Sequence, residues 1–310
     1  MVINDINKDL IYSKNVTITS EYFVLYKGTS IDIYDHNFVF QKSIPNLKYV
    51  YNGCVSPDQK KLLLVSNANR YYIFSLENFS LIANSVIKRP YNGGLEGIGC
   101  WFNNDSFMLA VQNPTSMLST LRKINCVSPF LIDDFLPNEF WVRYITFIEH
   151  KKKFLIIGLD RQDHIWYILW MDQHGNRTIN KILDFDETIF DVFVSHNTET
   201  LVLTGESKIY SCNFYGVPTN TWGDLLTELD MARNFLTCFH ISHRNSSIAY
   251  LGTTDSLTVY NLKEHNVVRS YPMEFGARSI KEFGDFLFVS SLDKLHLIPL
   301  NGKLACRFCS

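Results

Sequence analysis

The sequence predicts an all-β fold made of seven copies of a four-stranded antiparallel unit. Three observations predict it: an apolar run of strand length recurs along the chain, polar turns precede most of these runs, and aromatic residues are abundant. The 310 residues include 23 Phe and 16 Tyr, and aromatic side chains favour the half-buried surface of a pleated sheet. Hydrophobic residues make up 46% of the chain, which is enough to bury a large core.

The second strand of each copy is the clearest signal. Its seven starting positions are Phe23, Leu62, Met108, Phe154, Leu201, Ile248 and Phe286. The first and last starts lie 263 residues apart, so the six intervals average about 44 residues. This spacing lies within the roughly 40–50 residues that a four-stranded β-propeller blade occupies. We therefore interpret the repeat as a propeller blade.

The turns and the neighbouring strands support the same repeat. Before Leu62 stands Ser56-Pro57-Asp58, where Pro fixes φ and the Asp carboxylate can accept a backbone N–H two residues on. Third strands are predicted at 30–35, 71–76, 119–124, 166–171, 208–214, 257–262 and 294–300, and outer strands at 38–44, 81–87, 130–136, 177–183 and 267–273.

We expect one propeller domain over 1–310. Its predicted blades are approximately 16–45, 49–87, 96–136, 141–183, 189–231, 235–273 and 276–300. The last blade has three strands of its own, and we expect 8–13 to supply the outer strand and close the ring; the alternative is a frayed N-terminus. In blade five, Trp222, Leu225, Leu226 and Leu229 recur at helical spacing, which predicts a short amphipathic helix near 221–231 that packs on its own blade or docks a partner.

Two segments carry a resemblance to a known family. Thr254-Asp255-Ser256-Leu257-Thr258-Val259-Tyr260-Asn261-Leu262 resembles the third strand of WD-repeat propellers, and Asp32-Ile33-Tyr34-Asp35 is a weaker copy. The resemblance extends over nearly the whole chain and implies a seven-bladed propeller with degenerate repeats. No repeat ends in Trp-Asp and none begins with Gly-His, so the hydrogen-bond network of typical WD repeats is not carried over.

Composition excludes several functional classes. The formal net charge of −2 gives no support to general nucleic-acid binding, and no apolar stretch reaches the roughly 18 residues of a membrane span. We expect no secretory leader. Seven cysteines, mostly within apolar runs, are expected to be reduced thiols of a cytoplasmic protein. A closed ring leaves no free sheet edge, which favours a monomer.

No motif predicts catalysis, a cofactor or a metal. Cys306 and Cys309 form a CxxC without the further ligands of a structural zinc site, so we interpret them as incidental thiols. His240 and His243 are expected to point to opposite faces of a strand. The acidic runs Asp133-Asp134 and Asp184-Phe185-Asp186-Glu187 are read as charged loops. We therefore predict no catalytic residue, no metal site and no cofactor.

The predicted partner-binding residues stand in equivalent loops between outer and inner strands. Arg, Trp and Tyr are enriched in binding hot spots, and these loops should meet around the channel of a propeller. The set is Arg89, Tyr91, Trp141, Arg143, Arg233 and Arg278. Ordinary solvated loop residues are the alternative interpretation. If the prediction is correct, the ring suits a partner of acidic character.

Two functional classes follow from this interpretation. The first is a non-enzymatic interaction module or scaffold that binds a protein or peptide on the loop face around the channel. The second is an enzyme or small-ligand binder, of hydrolase or lyase type, that uses the channel itself. The fold permits both. Titratable groups with shifted pKa values that converge in the channel would favour the second class.

Overall fold

The computed structural model describes residues 15–66, 70–86, 98–112, 116, 118–127, 132–182, 187–189, 191–195, 198–205, 209–219, 236–264, 266–274, 276–291 and 294–300. Within these ranges the chain forms 25 β-strands and one 3-10 helix, Glu149–Lys151. None of the helical structure in this part of the chain is long and apolar enough to cross a membrane.

The first two sheets have four strands each in sequence order. The first consists of β1 (Asn15–Ile18), β2 (Tyr22–Tyr26), β3 (Ile31–Asp35) and β4 (Phe40–Ile44). The second consists of β5 (Val50–Val55), β6 (Lys61–Ser66), β7 (Arg70–Ser75) and β8 (Leu81–Val86). Both are antiparallel meanders, as the short connections between successive strands require.

The third sheet has seven strands. It comprises β9 (Gly99–Trp101), β10 (Ser106–Gln112), β11 (Ser119–Asn125), β12 (Ile132–Ile148), β13 (Lys153–Asp160), β14 (Ile165–Met171) and β15 (Arg177–Lys181). The 17-residue β12 joins its two halves. Up to Phe140 it pairs with β11, and from Trp141 onward it pairs with β13.

The remaining sheets follow the same antiparallel order. The fourth holds β16 (Asp191–Ser195), β17 (Thr200–Thr204) and β18 (Ile209–Asn213); the fifth holds β19 (Leu236–Ile241), β20 (Ile248–Thr253), β21 (Ser256–Asn261) and β22 (Asn266–Pro272); the sixth holds β23 (Ser279–Phe283), β24 (Phe286–Ser290) and β25 (Leu295–Pro299).

The chain divides into two compact units. The N-terminal unit comprises Thr17–Asp186 and Tyr215–Val217, and the C-terminal unit comprises Met1–Val16, Glu187–Phe214 and Pro218–Ser310. Each has its own hydrophobic clusters. In the N-terminal unit, clusters join neighbouring sheets, for example Val24 and Ile31 with Leu62 and Leu64. In the C-terminal unit, Val202 and Ile209 pack with Leu236, Phe239 and Leu251.

The predicted second strands are confirmed. Each of the seven begins within two residues of its expected start, and in β10 every residue is buried. The predicted outer strands are also present where the chain is described, and β22 is largely exposed. A strand covered on both faces is continuously apolar, whereas an outer strand faces solvent. The burial therefore explains why the second strand gave the stronger sequence signal.

The prediction of seven separate four-stranded sheets differs from what is observed. The described residues form six sheets, and three of these have four strands. One cause is β12, which runs without a break from one predicted blade into the next. The described residues thus leave the count of seven blades unconfirmed. The predicted clasp at 8–13 and the predicted helix at 221–231 lie outside the described residues.

Polar side chains fix the first strands of adjacent sheets in the N-terminal unit. The Tyr26 hydroxyl donates to Thr17 Oγ1 at 2.7 Å, and Thr17 Oγ1 donates to the carbonyl of Gly53 at 3.0 Å. Trp101 Nε1 donates to the carbonyl of Cys54 at 3.1 Å. Buried polar groups need such partners, and the bonds to the carbonyls of Gly53 and Cys54 each join two sheets.

Candidate partner-binding site

The structure describes three of the six predicted partner-binding residues. Arg89, Tyr91 and Arg233 lie outside the described part of the chain. Trp141 and Arg143 are partly exposed in β12 of the N-terminal unit. Arg278 is exposed in the C-terminal unit, just before β23, and its backbone N–H donates to the Ser290 carbonyl at 2.7 Å. All three are accessible at the surface rather than buried inside a sheet.

The start of the second half of β12 positions Trp141 and Arg143. Trp141 pairs with Leu159, and a register shift follows between Val142 and Tyr144. Such a bulge redirects the side chain of the extra residue. The Arg143 guanidinium consequently lies over the Trp141 ring, with its Cζ 5.0 Å from the ring centroid, within the roughly 6 Å of a cation–π contact.

A second guanidinium reaches the same ring. Arg161 belongs to the turn that follows β13, and its Cζ lies 5.9 Å from the Trp141 centroid. The Asp160 carboxylate stabilises this turn, because its Oδ1 accepts the backbone N–H of Gln162 at 2.8 Å. We call Trp141, Arg143 and Arg161 the Trp141 site.

The indole nitrogen of Trp141 is a hydrogen-bond donor whose capacity is not satisfied. Trp141 Nε1 is buried and has no hydrogen-bond partner among the described residues. Behind it lies the almost fully buried Trp166, with the two ring centroids 6.5 Å apart. A buried donor without an acceptor costs roughly 1–3 kcal/mol.

Sequence analysis missed Arg161. The predicted strand order could have indicated this residue. Because β12 and β13 are antiparallel neighbours, the start of the second half of β12 and the turn after β13 lie at the same end of the sheet. Trp141 and Arg143 were predicted to stand in a loop between an outer and an inner strand, and this was wrong, because both lie within the continuous strand β12. That they bind a partner stays a prediction.

Buried titratable groups lie on the first strands of the C-terminal unit. Burial raises the pKa of Asp191 to about 6 and lowers the pKa of Lys281 to about 8. The Asp191 carboxylate accepts the backbone N–H groups of Val192 at 2.9 Å and Phe239 at 3.2 Å. The Lys281 ammonium donates to the carbonyl of Val16 at 2.5 Å. These contacts give both groups a structural role.

The expectation for His240 and His243 was wrong. Their rings meet edge to face, with centroids 4.9 Å apart, because β19 ends at Ile241 and the chain turns before His243. Burial, together with the proximity of His243, lowers the pKa of His240 to about 4. No group of three or more metal-ligating side chains occurs in the described ranges. Cys306 and Cys309 lie outside them.

The pKa of Lys281 leads to a prediction about alkaline pH. Between pH 8 and the usual lysine value of 10.5, the unfolded chain holds a proton that the folded chain has released. The free energy of unfolding of the wild type should therefore rise in this window relative to Lys281→Met, by about 2 kcal/mol at pH 10. Urea titrations at pH 7.5, 9 and 10 would measure it. A difference that does not change with pH would contradict the assignment.

Comparison with known proteins places the chain in no family by sequence. No family model matches it, and no curated protein matches it. The fold, in contrast, has clear neighbours among solved structures.

Three of these neighbours resemble almost the whole chain. The β-propeller domain of Cps50 (Swd1) from Myceliophteria thermophila has a TM-score of 0.68 at 13% identity and covers 93% of this chain and 97% of that one. A chain of a mitotic checkpoint complex has a TM-score of 0.69 at 10% identity, covering 93% and 90%. Hydrazine synthase from Kuenenia stuttgartiensis has a TM-score of 0.66 at 10% identity, covering 94% and 97%.

At these identities the similarity shows the fold alone. The chain has an all-β β-propeller fold built from four-stranded antiparallel blades, with almost no helix among the described residues. The propeller class predicted from the resemblance to WD-repeat proteins is therefore confirmed. The neighbours include parts of protein assemblies and an enzyme, so the fold does not decide the function.

Proposed function

We propose that this protein is a non-enzymatic interaction module that binds a protein or peptide partner of acidic character at the Trp141 site. The observation that carries the proposal is the pair of guanidinium groups on one indole ring, at 5.0 Å and 5.9 Å. One structural neighbour belongs to a protein assembly by its name, the mitotic checkpoint complex, which supports a protein partner. Arg278 is included in the proposed surface, as are Arg89, Tyr91 and Arg233.

The chemistry of the Trp141 site suits a carboxylate beside an apolar group. A guanidinium can donate two parallel hydrogen bonds to one carboxylate. The indole contributes apolar area at a small cost in conformational entropy. An acidic side chain next to an aromatic or aliphatic one would use all of these features.

The test begins with a displayed library of random peptides that is selected on the wild-type protein. The best peptide is then titrated by calorimetry against the wild type and against variants. Trp141→Ala should weaken binding by about 2 kcal/mol, roughly 30-fold. Replacing Arg143 and Arg278 together by Ala should weaken it by roughly 2–4 kcal/mol, with thermal stability nearly unchanged because exposed charges contribute little to it.

Arg269→Ala is the matched control. Arg269 lies over the Tyr271 ring, with its Cζ 4.6 Å from the centroid, so it forms the same kind of contact on the outer strand β22. This variant should keep full affinity. Selected peptides without acidic residues, or peptides that bind the Trp141→Ala variant as tightly as the wild type, would refute the proposal.

The alternative is an enzyme or small-ligand binder that uses the channel. The shifted pKa values of Asp191 and Lys281 meet one criterion for such a site. Against it, the polar atoms of both side chains are engaged with backbone groups. An enzyme would need these groups to meet substrate, so the interaction module is the better supported function.

We also propose a blade count, an oligomeric state and a cellular location for this protein. The proposal keeps seven blades in one domain, 1–310, and a closed ring of this kind would be a monomer. A cytoplasmic location is supported by the five described cysteines, Cys54, Cys100, Cys126, Cys212 and Cys238, which are all free. Free thiols persist in reducing compartments. Sedimentation and fractionation of the native protein would test both proposals.

A further inference from the structure

A second concave surface lies at the opposite end of the sheet from the Trp141 site. It is a cleft of about 310 Å³, lined by Lys151, Lys153, Trp170, Thr178 and Tyr215. Lys153 is the first residue of β13, whereas Trp141 pairs with Leu159 near the end of that strand. The cleft and the Trp141 site are thus separated by almost the whole length of β13, and neither includes a residue of the other.

The strand register explains how the floor of the cleft forms. Trp170 in β14 pairs with Leu155 on one side and with Thr178 on the other, so these three side chains share one face of the sheet. Lys153 precedes Leu155 by two residues and therefore lies on the same face. The adjoining segment 215–217 supplies Tyr215, whose side chain is 53% exposed. Its ring centroid lies 6.5 Å from that of Trp170.

The charge of the cleft is positive. The Lys151 ammonium lies 5.8 Å from the Trp170 centroid and 5.7 Å from the Tyr215 centroid, so it bridges the two rings. Lys152, between the two cleft lysines in sequence, forms an ion pair with Glu149. Lys152 adopts φ 50 at the end of the 3-10 helix. None of the described residues that line the cleft is acidic.

We propose that this cleft binds an acidic peptide segment of a protein partner. One carboxylate of the peptide lies between the ammonium groups of Lys151 and Lys153, within reach of the Thr178 hydroxyl. An adjacent apolar side chain packs against Tyr215 and the edge of Trp170. The chemistry is complementary, because two cations and two aromatic rings face the same space with no anion among the lining residues.

The size of the cleft favours a peptide over a cofactor. Its volume of about 310 Å³ lies at the lower limit of the roughly 300–1,000 Å³ that is typical of small-molecule sites. That space holds one or two side chains of a bound segment, while the rest of the peptide lies on the surface. The exposed side chain of Val217, 56% accessible beside Tyr215 in sequence, extends the apolar surface on which it would lie.

The test uses the full chain and a labelled peptide of defined sequence. The probe is fluorescein-labelled Gly-Glu-Phe-Glu-Phe-Gly, and its dissociation constant is measured by fluorescence anisotropy at low and high salt. Lys151→Ala and Tyr215→Ala should each weaken binding about tenfold, and added salt should weaken it as well, because exposed charges are screened. A probe with glutamine in place of glutamate should bind at least about tenfold more weakly.

Lys152→Ala is the matched control. It removes a neighbouring lysine that is paired with Glu149 rather than directed at the rings, so the probe should bind within about twofold of wild type. Because the Trp141 site suits the same acidic and aromatic chemistry, all of these measurements are made in the Trp141→Ala background. Binding that remains in this background reports on the cleft alone, so failure here and failure of the proposed function are distinguishable. Equal binding of the glutamine probe, equal binding to the Lys151→Ala variant, or no measurable binding of the glutamate probe would overturn the assignment.

Discussion

Replacing Gly53 by alanine should destabilise the N-terminal unit by about 3 kcal/mol, which is large for the addition of one methyl group. A Cβ at this position in β5 would lie 2.6 Å from the Leu63 carbonyl oxygen and 2.6 Å from the Tyr26 hydroxyl. The first is backbone and the second is fully buried, so neither can move freely. Thermal unfolding followed by circular dichroism should show a midpoint lowered by about 6 °C or more.

Two further variants separate the causes of this effect. Gly284→Ala adds a methyl group that meets nothing within 4 Å, at a backbone φ of +53°, and should cost about 1 kcal/mol from conformation alone. Adding Tyr26→Phe to Gly53→Ala removes the hydroxyl that the methyl group would strike, so the pair should lose less than the sum of the two single changes. If Gly53→Ala costs no more than Gly284→Ala, the close approach described for β5 is wrong.

The strands that could be predicted from the sequence are those that are buried on both faces, because only apolar residues suit such positions. In β6, Leu62, Leu63, Leu64 and Val65 are all buried, because sheets pack against both faces of this strand. Such a run has no polar positions, and turn residues on either side set its length. The same cause operates in all seven second strands, and their positions followed from the sequence.

The continuity of β12 could not be predicted from the sequence. Pro137 lacks a backbone N–H and is expected to end a strand, yet the chain continues from Ile132 to Ile148. The pairing with β11 jumps from Phe135 opposite Leu121 to Phe140 opposite Ser119, so the segment with Pro137 falls within an irregularity. A bulge of this kind depends on the partner strand as much as on local sequence.

The candidate sites depend on contacts between separate segments, which limits what their sequence can reveal. Trp141 and Arg143 stand two residues apart, but the bulge that places the Arg143 guanidinium over the indole depends on the pairing of β12 with β13. Arg161 joins them only because a turn, held by Asp160, directs it back over the indole. In the cleft, Tyr215 lies 45 residues beyond Trp170 in sequence, and no local pattern joins the two rings.

Glu282 should prove to be the most important carboxylate for the stability of the C-terminal unit. Its side chain is 2% exposed. Its Oε1 accepts the Ser242 hydroxyl at 3.0 Å and its Oε2 accepts the His243 backbone N–H at 2.8 Å. Arg244 Nε lies 3.8 Å from Oε1. Glu282 therefore anchors the turn after β19 to β23, and Glu282→Leu should lower the free energy of unfolding by about 3 kcal/mol because it removes the acceptor of the buried Ser242 hydroxyl and of the His243 backbone N–H.

A comparison of variants can separate the contribution of the buried Glu282 carboxylate from that of a surface ion pair with Arg244. Asp285 also accepts from Arg244, at 2.5 Å, but its side chain is 55% exposed, so Asp285→Asn should cost less than about 1 kcal/mol. Glu282→Gln keeps one acceptor oxygen and the volume of the side chain, and its cost should fall between the other two. Urea denaturation of the three variants gives the order. If Glu282→Leu is no more destabilising than Asp285→Asn, the turn does not depend on this carboxylate, and the Ser242 and His243 donors must find other acceptors in the folded state.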